Sequence, residues 1–431
     1  MLRQSYLSAI CVLLAACGPA EAPTSPAPPE PEPGQGATAF VNATLWDGSG
    51  AQPVSGAVIV VRDGRIESAG PGPEPPGAAL VDLAGGFVMP GLINTHGHVS
   101  GRWAPAGIDD ESARVAAELR LLARYGVTTV NSLGGEPAAA FALRDAADAA
   151  APARARLQVA GTVVADTDPA AARATAAANV AQGVDWLKLR IDDNLGSTAK
   201  MPWEAVEAVL EVSRESGVPL ATHIFYLDDA LRLLEAGSGM IAHSVRDLPV
   251  TNEFIERLGA AGICYVPTLT RELSTFVYAE RPDFFDDPFF LRHADRAEMA
   301  RISEPAFMAE MAASETAAAY RAAWTQAMEN LRELSDAGAR IAMGTDSGPA
   351  ARFPGYFEHL ELALMVMAGM TPGQALQSAT SVAADCLRRD DIGLLAPGRR
   401  ADFLVLDANP LEDIAATRSL RAVYIGGRRV D

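Results

Sequence analysis

Hydrophobic and polar residues alternate in short runs at both ends of the chain, which is the pattern of β-strands with one buried face. Residues 37–88 contain runs such as AFVNATL and GAVIVVR, and Asp-Gly pairs at residues 47–48 and 63–64 are typical hairpin turns. The segments GRRADFLVLDANP and LRAVYIGGRRV repeat the pattern near the C-terminus. We therefore predict a small β-sandwich assembled from residues 37–88 and 393–431.

The long middle of the chain, residues 89–392, alternates apolar strand-like runs with alanine-rich helical stretches. This order is typical of βα units around a parallel sheet. The eight strand-like runs are VMPGLINTH, VTTVNSL, LQVAGTVV, DWLKLRI, PLATHIF, GMIAHSV, ICYVPTL and RIAMGTD. They predict an α/β fold in which a closed (β/α)8 TIM barrel carries the appended sandwich.

One connection in the predicted barrel is much longer than the others. It spans residues 269–339 and contains the aromatic-rich stretch FVYAERPDFFDDPFFLRHAD. The aromatic side chains within residues 274–320 fit a satellite hydrophobic cluster under a long loop, and they equally fit a lid over a substrate. The sequence leaves both interpretations open.

The first 17 residues have the basic start and short apolar stretch of a secretory signal peptide. Residues 14–17, LAAC, resemble a bacterial lipobox, so we expect Cys17 to be lipidated. The lipid would anchor the protein to a membrane of the bacterial cell envelope, with the outer membrane or periplasm as its location. An ordinary signal peptide with a chance cysteine is the alternative. Residues 18–36 are rich in proline and glutamate and predict a linker.

Composition and charge narrow the function classes. With 49% hydrophobic and 21% charged residues, the chain can bury a large core and is not a disordered protein. A formal net charge of −19 argues against a nucleic-acid partner, because binding phosphates requires clustered lysine and arginine. Beyond the signal segment and Cys17, only Cys264 and Cys386 remain, and we expect two buried free thiols rather than a disulfide.

Four of the six histidines lie where predicted strands end, which is the end that carries catalytic groups in a TIM barrel. His96 and His98 end the first run, His223 ends the fifth, His243 ends the sixth, and Asp346 ends the eighth. Imidazole and carboxylate groups suit zinc and similar divalent ions. Their joint position at strand ends predicts a metal site.

The two remaining histidines lack this position. His293 lies in the long insertion, and His359 lies in an amphipathic helix, where we expect it to face outward. Neither is assigned to chemistry.

Lys188 ends the fourth predicted strand, DWLKLRI. Strand alternation puts Trp186, Lys188, Arg190 and Asp192 on the inner face, with the intervening apolar residues packing outward under the helices. A lysine inside a barrel is unfavourable unless its charge is paired or removed. Taken alone, it would form a salt bridge to Asp192 or to the adjacent Asp193.

A family resemblance rests on these residues in their order along the chain. HGH after an apolar strand, then Lys188, His223, His243 and the Asp346 of GTDSG, resemble the pattern of the amidohydrolase superfamily. The segments GFVMPGLINTHGHV and GLLAPGRRADFLVLDANPLEDI resemble the family's boundary segments between sandwich and barrel. Within the superfamily, the chain is similar to the imidazolonepropionase-like and Xaa-Pro dipeptidase-like branch.

The resemblance implies a binuclear site with two divalent metal ions, with Zn²⁺ as the expected metal. It implies that carbon dioxide carbamylates Lys188, which removes the buried positive charge and gives a ligand shared by both ions. The implied ligands are His96, His98 and Asp346 for one ion, His223 and His243 for the other, and the modified Lys188 between them.

Metal chemistry then suggests the reaction. A hydroxide shared by two ions forms near neutral pH and attacks a carbonyl group that one ion polarises. Asp346 would take the proton of the water and pass it to the leaving nitrogen. We expect hydrolysis of a C–N bond in an amide, a dipeptide or a cyclic amide. Deaminating relatives carry a glutamate just after the fifth-strand histidine, whereas Ile224 follows His223 here, which argues against deamination.

Candidate substrate-binding residues are Arg190, Tyr226 and Arg271, which lie on or just after predicted strands. Arginine suits a free carboxylate, although each arginine equally fits neutralisation of a neighbouring acid. Two alternatives remain: a lactone or phosphotriester hydrolase with the same metal site, and a non-catalytic envelope binding protein. The second predicts an incomplete ligand set, whereas every ligand is present. The sequence leaves a homo-oligomer open.

Overall fold

The structure is a computed structural model that describes residues 36–146 and 153–431. The predicted signal peptide, Cys17 and all but the last residue of the predicted linker lie outside the described residues. Among the helices that the structure describes, none combines the length and apolar character needed to cross a bilayer.

Strands and helices alternate through most of the described chain. The strands are β1 (Thr38–Leu45), β2 (Val54–Arg62), β3 (Arg65–Gly70), β4 (Ala79–Asp82), β5 (Phe87–Pro90), β6 (Leu92–Gly97), β7 (Val127–Ser132), β8 (Arg156–Gln158), β9 (Leu187–Arg190), β10 (Leu220–His223), β11 (Met240–Ala242), β12 (Cys264–Val266), β13 (Phe403–Leu406), β14 (Leu420–Ile425) and β15 (Arg428–Arg429). The α-helices are α1 (Glu111–Arg124), α2 (Ala138–Asp145), α3 (Pro169–Ala181), α4 (Trp203–Ser216), α5 (Leu227–Ala236), α6 (Asn252–Ala261), α7 (Leu269–Leu273), α8 (Pro288–Leu291), α9 (Arg296–Ile302), α10 (Pro305–Ala313), α11 (Glu315–Asp336), α12 (Tyr356–Met367), α13 (Pro372–Ser378) and α14 (Ser381–Cys386).

Strands from both ends of the described chain form one eight-stranded mixed sheet. Its order is β15-β14-β13-β5-β1-β2-β3, and β4 pairs with β1. The two chain ends share an aromatic core, because the Phe40 ring lies 5.0 Å from Phe403, which in turn stacks on Tyr424 at 4.7 Å. Burying these rings against each other links the N-terminal and C-terminal segments.

The strands of the middle segment form two parallel sheets, β6-β7-β8 and β12-β11-β10-β9. Isolated parallel bridges connect these sheets to each other and to the last predicted run: Val164 with Leu189, Tyr265 with Ile341, and Gly97 with Ser347. The run RIAMGTD therefore contributes bridges and not a regular strand. Parallel strands joined by helices place all their carboxyl ends at one edge, which is where the predicted ligands lie.

The two faces of β9 enter different apolar clusters, as the alternation predicts. Trp186, just before the strand, packs in a cluster with Met240 of β11, whereas Leu187 and Leu189 belong to the larger cluster that contains the helix residues. Lys188 therefore lies on the inner face with Trp186 and is buried.

Cys264 and Cys386 form a disulfide with their Cα atoms 5.9 Å apart, so the prediction of two free thiols is wrong. Cys264 begins β12 and Cys386 ends α14, and both side chains are buried in the inner cluster with Met240. The bond therefore lies at the end of the strands opposite to the histidines. A sequence separation of 122 residues carries no signal that α14 returns to this point.

The long insertion contributes two separate aromatic clusters. In one, Phe290 packs against Phe353 with ring centres 5.0 Å apart, in the manner of a satellite cluster. In the other, Phe276 and Tyr320 pack with Phe225, which lies just beyond the end of β10. The second cluster borders the predicted site, because Phe225 lies two residues after His223.

His359 is buried, which corrects the prediction that it faces outward. Its Nε2 donates to the Tyr125 carbonyl at 2.7 Å, and its Nδ1 lies 3.0 Å from Thr417 Oγ1. Helix α12 is covered on several sides, by α7, by α13 and by the 3-10 turn at Ile414–Arg418. Most of the surface of this helix is covered, and only the face with Leu360, Ala363 and Met367 reaches solvent, so amphipathic spacing did not reveal the environment of His359.

Candidate metal centre

The predicted ligands come from the carboxyl ends of neighbouring strands. His96 lies within β6, Lys188 within β9, and His223 is the last residue of β10. His243 directly follows β11 and has a φ of 70°, and Asp346 has a φ of 55°. Residues other than glycine seldom adopt this left-handed conformation, and such strain concentrates at functional sites.

Three of these residues form a compact group of metal-binding donors. The Asp346 Oδ1 atom lies 2.7 Å from His98 Nε2 and 3.6 Å from His96 Nε2. One ligand atom from each of the three residues lies within 4.8 Å of the others. Two imidazoles and one carboxylate at these separations match the donor set of a zinc-like divalent ion.

The other predicted ligands adjoin this group. The His96 ring centre lies 4.7 Å from that of His243, which lies 4.1 Å from that of His223. Lys188 Nζ lies 3.2 Å from His96 Nε2. Together with His98 and Asp346, six side chains that are spread over residues 96–346 therefore meet at one place.

Hydrogen bonds orient the imidazole rings. His98 Nδ1 donates to the Gly134 carbonyl at 2.8 Å, which directs its Nε2 towards Asp346 Oδ1 and the other metal-binding donors. His243 Nδ1 lies 2.6 Å from Thr268 Oγ1. His96 Nδ1 is buried and has no hydrogen-bond partner among the described residues.

Burial keeps most of the nitrogen ligands neutral. Burial lowers the pKa of His223 to about 4 and holds the pKa values of His96 and His243 well below their usual range. The pKa of His98 is raised, because the contact with Asp346 outweighs the effect of burial. Divalent ions bind neutral imidazole, so three of the four rings are already in the binding form near neutral pH.

Asp346 is ionised in spite of its burial. Burial by itself raises the pKa of this carboxyl, but Arg352 and the neighbouring histidines outweigh it and hold the pKa well below its usual range. Arg352 Nη1 donates to Asp346 Oδ2 at 2.5 Å, while Oδ1 faces the histidines. The two carboxylate oxygens therefore have different surroundings.

Lys188 forms no ion pair with Asp192 or Asp193 in the described chain, contrary to the salt bridge considered from the sequence. Asp192 Oδ2 instead lies 3.2 Å from His223 Nε2, and Asp193 accepts from Tyr226. Burial lowers the pKa of Lys188 to about 7. Its amine therefore loses its proton far more readily than that of an exposed lysine.

The predicted substrate-binding residues differ in their surroundings. Arg271 is buried, donates to Glu272 at 2.8 Å and lies 4.7 Å from the centre of the Tyr320 ring. Its Nε reaches to 4.0 Å from an oxygen of Asp346, so it borders the metal centre. The Tyr226 hydroxyl donates to Asp193 at 2.8 Å. Arg190 is half-buried and forms no ion pair with a described residue.

Two arginines near the centre were missed from the sequence. Arg352 follows Asp346 by six residues in the same loop and contacts it directly. Arg246 follows His243 by three residues, is fully buried and donates to the Ile224 carbonyl at 2.8 Å. The available signal was their position: each lies within one loop of a predicted ligand.

Comparison with known proteins identifies relatives of this arrangement. The model of the amidohydrolase family matches residues 87–430, which is more than half of the chain. The imidazolonepropionase of Deinococcus radiodurans is 28% identical over 405 residues, which cover 88% of this chain and 92% of that protein. The imidazolonepropionase of Deinococcus deserti is 45% identical over 103 residues, which cover 23% of this chain and 26% of that protein.

Solved structures share the fold. A putative prolidase from Bifidobacterium longum superposes with a TM-score of 0.74 at 26% identity, covering 91% of this chain and 94% of that chain. A Xaa-Pro dipeptidase with methionine bound in its active site also gives a TM-score of 0.74, at 22% identity, covering 91% of this chain and 99% of that chain. These likenesses imply a TIM-barrel-like α/β domain accompanied by a β-sandwich.

Proposed function

We propose that this chain, which belongs to the amidohydrolase family and as such hydrolyses a C–N bond, uses two divalent metal ions and acts on a small amide, dipeptide or cyclic amide. The observation that carries the proposal is the convergence of four histidines, one aspartate and one buried lysine at a single edge of the parallel strands. A closed eight-stranded barrel is part of this proposal, because the isolated bridges link the two parallel sheets on either side.

The ligands divide between two positions. His96, His98 and Asp346 would hold one ion, and His223 and His243 would hold the second. Zn²⁺ suits this mixture of imidazole and carboxylate. When bound, such ions lower the pKa of a coordinated water and polarise the carbonyl group of the substrate.

Lys188 would be the residue shared by both positions. A neutral amine attacks carbon dioxide, the new N–C bond forms, and the nitrogen gives up one proton, which leaves a negatively charged carbamate. The pKa of Lys188, lowered by burial to about 7, makes the neutral amine available for this step. Conversion of a buried cation into an anionic ligand also removes the cost of burying an unpaired ammonium.

Asp346 would carry the proton during hydrolysis. Its Oδ1 faces His96 and His98, so we assign the proton taken from the attacking water to Oδ2. Arg352, which donates to Oδ2, lowers the basicity of this oxygen, and an Asp346 carboxyl group protonated there gives up its proton readily. That balance favours the second half of the reaction, in which the proton passes to the leaving nitrogen.

Arginines at the site suggest the substrate class. Arg271 and Arg352 both reach Asp346, and Arg190 ends the same strand that carries Lys188. Positive charge at this edge suits a substrate with a free carboxylate, such as a dipeptide or an N-acyl amino acid. The names of the relatives, imidazolonepropionase and Xaa-Pro dipeptidase, support a small cyclic amide or a dipeptide.

We also propose that the protein is a lipoprotein of the bacterial cell envelope, anchored through Cys17. The sequence LAAC at residues 14–17 supports this. Metabolic labelling with a radioactive fatty acid should mark the wild-type chain and not Cys17→Ser. Labelling of both chains, or of neither, would refute the anchor.

The proposed activity is tested with protein reconstituted with Zn²⁺. A panel of dipeptides and N-acyl amino acids is assayed beside lactones and a phosphotriester. We expect turnover of the amides, two equivalents of metal per chain, and loss of activity on chelation. His98→Asn should abolish turnover, whereas the matched control His293→Asn, in the insertion, should keep it. Faster turnover of the esters would overturn the C–N assignment, and a chain without bound metal would overturn the whole proposal.

A further inference from the structure

Helix α12 carries two glutamates, Glu358 and Glu361, that have no solvent exposure. In the described chain, neither forms an ion pair with a lysine or an arginine. Burying a carboxylate without a cation is unfavourable unless hydrogen-bond donors surround it. One donor, the backbone N–H of Gly355 at the start of α12, donates to Glu358 Oε2 at 2.6 Å. The other donors to these two glutamates belong to the segments that carry the metal centre.

Glu358 joins the first strand of the middle segment to the segment that carries Asp346. Its Oε1 accepts from Asn94 Nδ2 at 2.6 Å and from Ser347 Oγ at 2.9 Å. Asn94 Oδ1 in turn accepts from the backbone N–H of His96 at 2.9 Å. The backbone N–H of Asp346, next to Ser347, donates to the His96 carbonyl at 2.7 Å. Glu358 therefore hydrogen-bonds both to the strand that carries His96 and to the segment that carries Asp346.

Glu361 holds the segment that follows β12. Its Oε1 accepts from the backbone N–H of Leu269 at 2.7 Å, and its Oε2 accepts from the backbone N–H and the hydroxyl of Thr270, each at 2.7 Å. The preceding Thr268 has a φ of 51° and contacts His243 Nδ1 through its hydroxyl. A threonine in this conformation needs support from its surroundings. Glu361 supplies that support one residue away.

We propose that Glu358 and Glu361 are positioning residues that together set the distance between the two halves of the metal centre. Glu358 places the half with His96 and Asp346, and Glu361 places His243 through Thr268. Residues three apart lie on the same face of a helix, so the rigid helix α12 connects the two halves. This inference rests on the proposed binuclear site.

The test uses metal-free protein and Co²⁺ alone as the probe. Glu358→Gln and Glu361→Gln keep the size of the side chain but put an N–H₂ group where an oxygen accepts from N–H donors. We expect the affinity for Co²⁺ to fall by about 10-fold to 100-fold in each variant, with a changed visible absorption spectrum. On the best amide substrate, kcat should fall while KM stays near the wild-type value.

The matched control is His359→Gln. His359 lies between the two glutamates on the same helix, but its partners are Tyr125 and Thr417, away from the metal centre. This variant should lower the melting temperature and leave the Co²⁺ affinity and spectrum unchanged. If the glutamine variants fail to fold, Ser347→Ala and Thr270→Val remove one donor each and should weaken Co²⁺ binding in the same direction by a smaller factor.

The outcomes separate the two proposals. A wild-type protein that binds no Co²⁺ would refute the metal centre itself. Wild-type binding with unchanged affinity and spectrum in both the glutamine and the donor variants would refute only the positioning role. An equal loss of Co²⁺ affinity in His359→Gln would refute it as well, since the effect would then come from helix stability.

Discussion

Replacing Lys188 with methionine should make the metal-free protein more stable while it abolishes hydrolysis. Lys188 is 2% exposed, and burial lowers its pKa from 10.5 to about 7. In the unfolded chain the lysine regains its ordinary pKa, so the unfolded state binds the proton more tightly. The folded pKa is lowered, and the contribution of Lys188 to the free energy of unfolding of the metal-free protein therefore becomes less unfavourable as the pH increases from about 7 to 10.

The magnitude follows from the size of the pKa shift. A fall in the pKa of Lys188 from 10.5 in the unfolded state to about 7 in the folded state corresponds to about 4 kcal/mol of lost stability at pH 7. At pH 9 about half of this loss is recovered, because the unfolded lysine is then closer to its own pKa. Methionine fills a similar volume without a charge. The stability advantage of Lys188→Met should thus shrink by about 2 kcal/mol between pH 7 and pH 9.

The assay is urea unfolding of chelated protein in buffer free of carbon dioxide, followed by circular dichroism at both pH values. The chain contains one other lysine, Lys200, whose side chain is 44% exposed and pairs with Asp229 at 2.9 Å. Lys200→Met is therefore the matched control and should show no advantage that depends on pH in this way. An advantage of Lys188→Met that is the same at both pH values, or a Lys188→Met protein less stable than wild type, would refute the reasoning.

Three further predictions concern other parts of the molecule. Burial lowers the pKa of His359 to about 4, so the neutral ring stabilises the fold above pH 6.5 and this stability is lost as the pH falls to 4. Over that range the free energy of unfolding of His359→Gln, measured with urea, should fall by about 3 kcal/mol less than that of wild type. An equal fall in both proteins would contradict this. Replacing both Cys264 and Cys386 with serine removes a link across 122 residues and should destabilise the protein by about 3 to 5 kcal/mol, whereas an unchanged urea midpoint would show that the link contributes nothing. Arg271→Lys should raise KM about tenfold for substrates with a free carboxylate and leave KM for uncharged amides unchanged, and an equal rise for both classes would remove the proposed contact.

Strand positions in the middle of the chain could be predicted because the relevant pattern is local. The run DWLKLRI alternates inner and outer residues, and the structure places Trp186 and Leu187 in different clusters accordingly. The convergence of His96, His223 and His243 follows from the rule that parallel strands bring their carboxyl ends together. No long-range information is needed for either step.

Features that depend on packing between distant segments could not be predicted in this way. The environment of His359 depends on which elements cover α12. The pairing of Cys264 with Cys386 depends on where α14 ends. A weak signal was present for the buried glutamates. In YFEHLELALMVM, Glu358 and Glu361 lie three residues apart on a helix that is otherwise largely apolar, and a helix with so few polar positions is expected to be buried over most of its surface.

The disulfide between β12 and α14 encloses the whole long insertion together with the segment that carries Asp346. Helix α10, in which no residue is buried, is the natural place for a protease to cut within that loop. A chain nicked there would remain one covalent molecule as long as the disulfide is intact, with both fragments still joined at the base of the strands. Only a reductant would break this covalent link, so the separation of the two fragments after a cut should depend on the redox state of the surroundings.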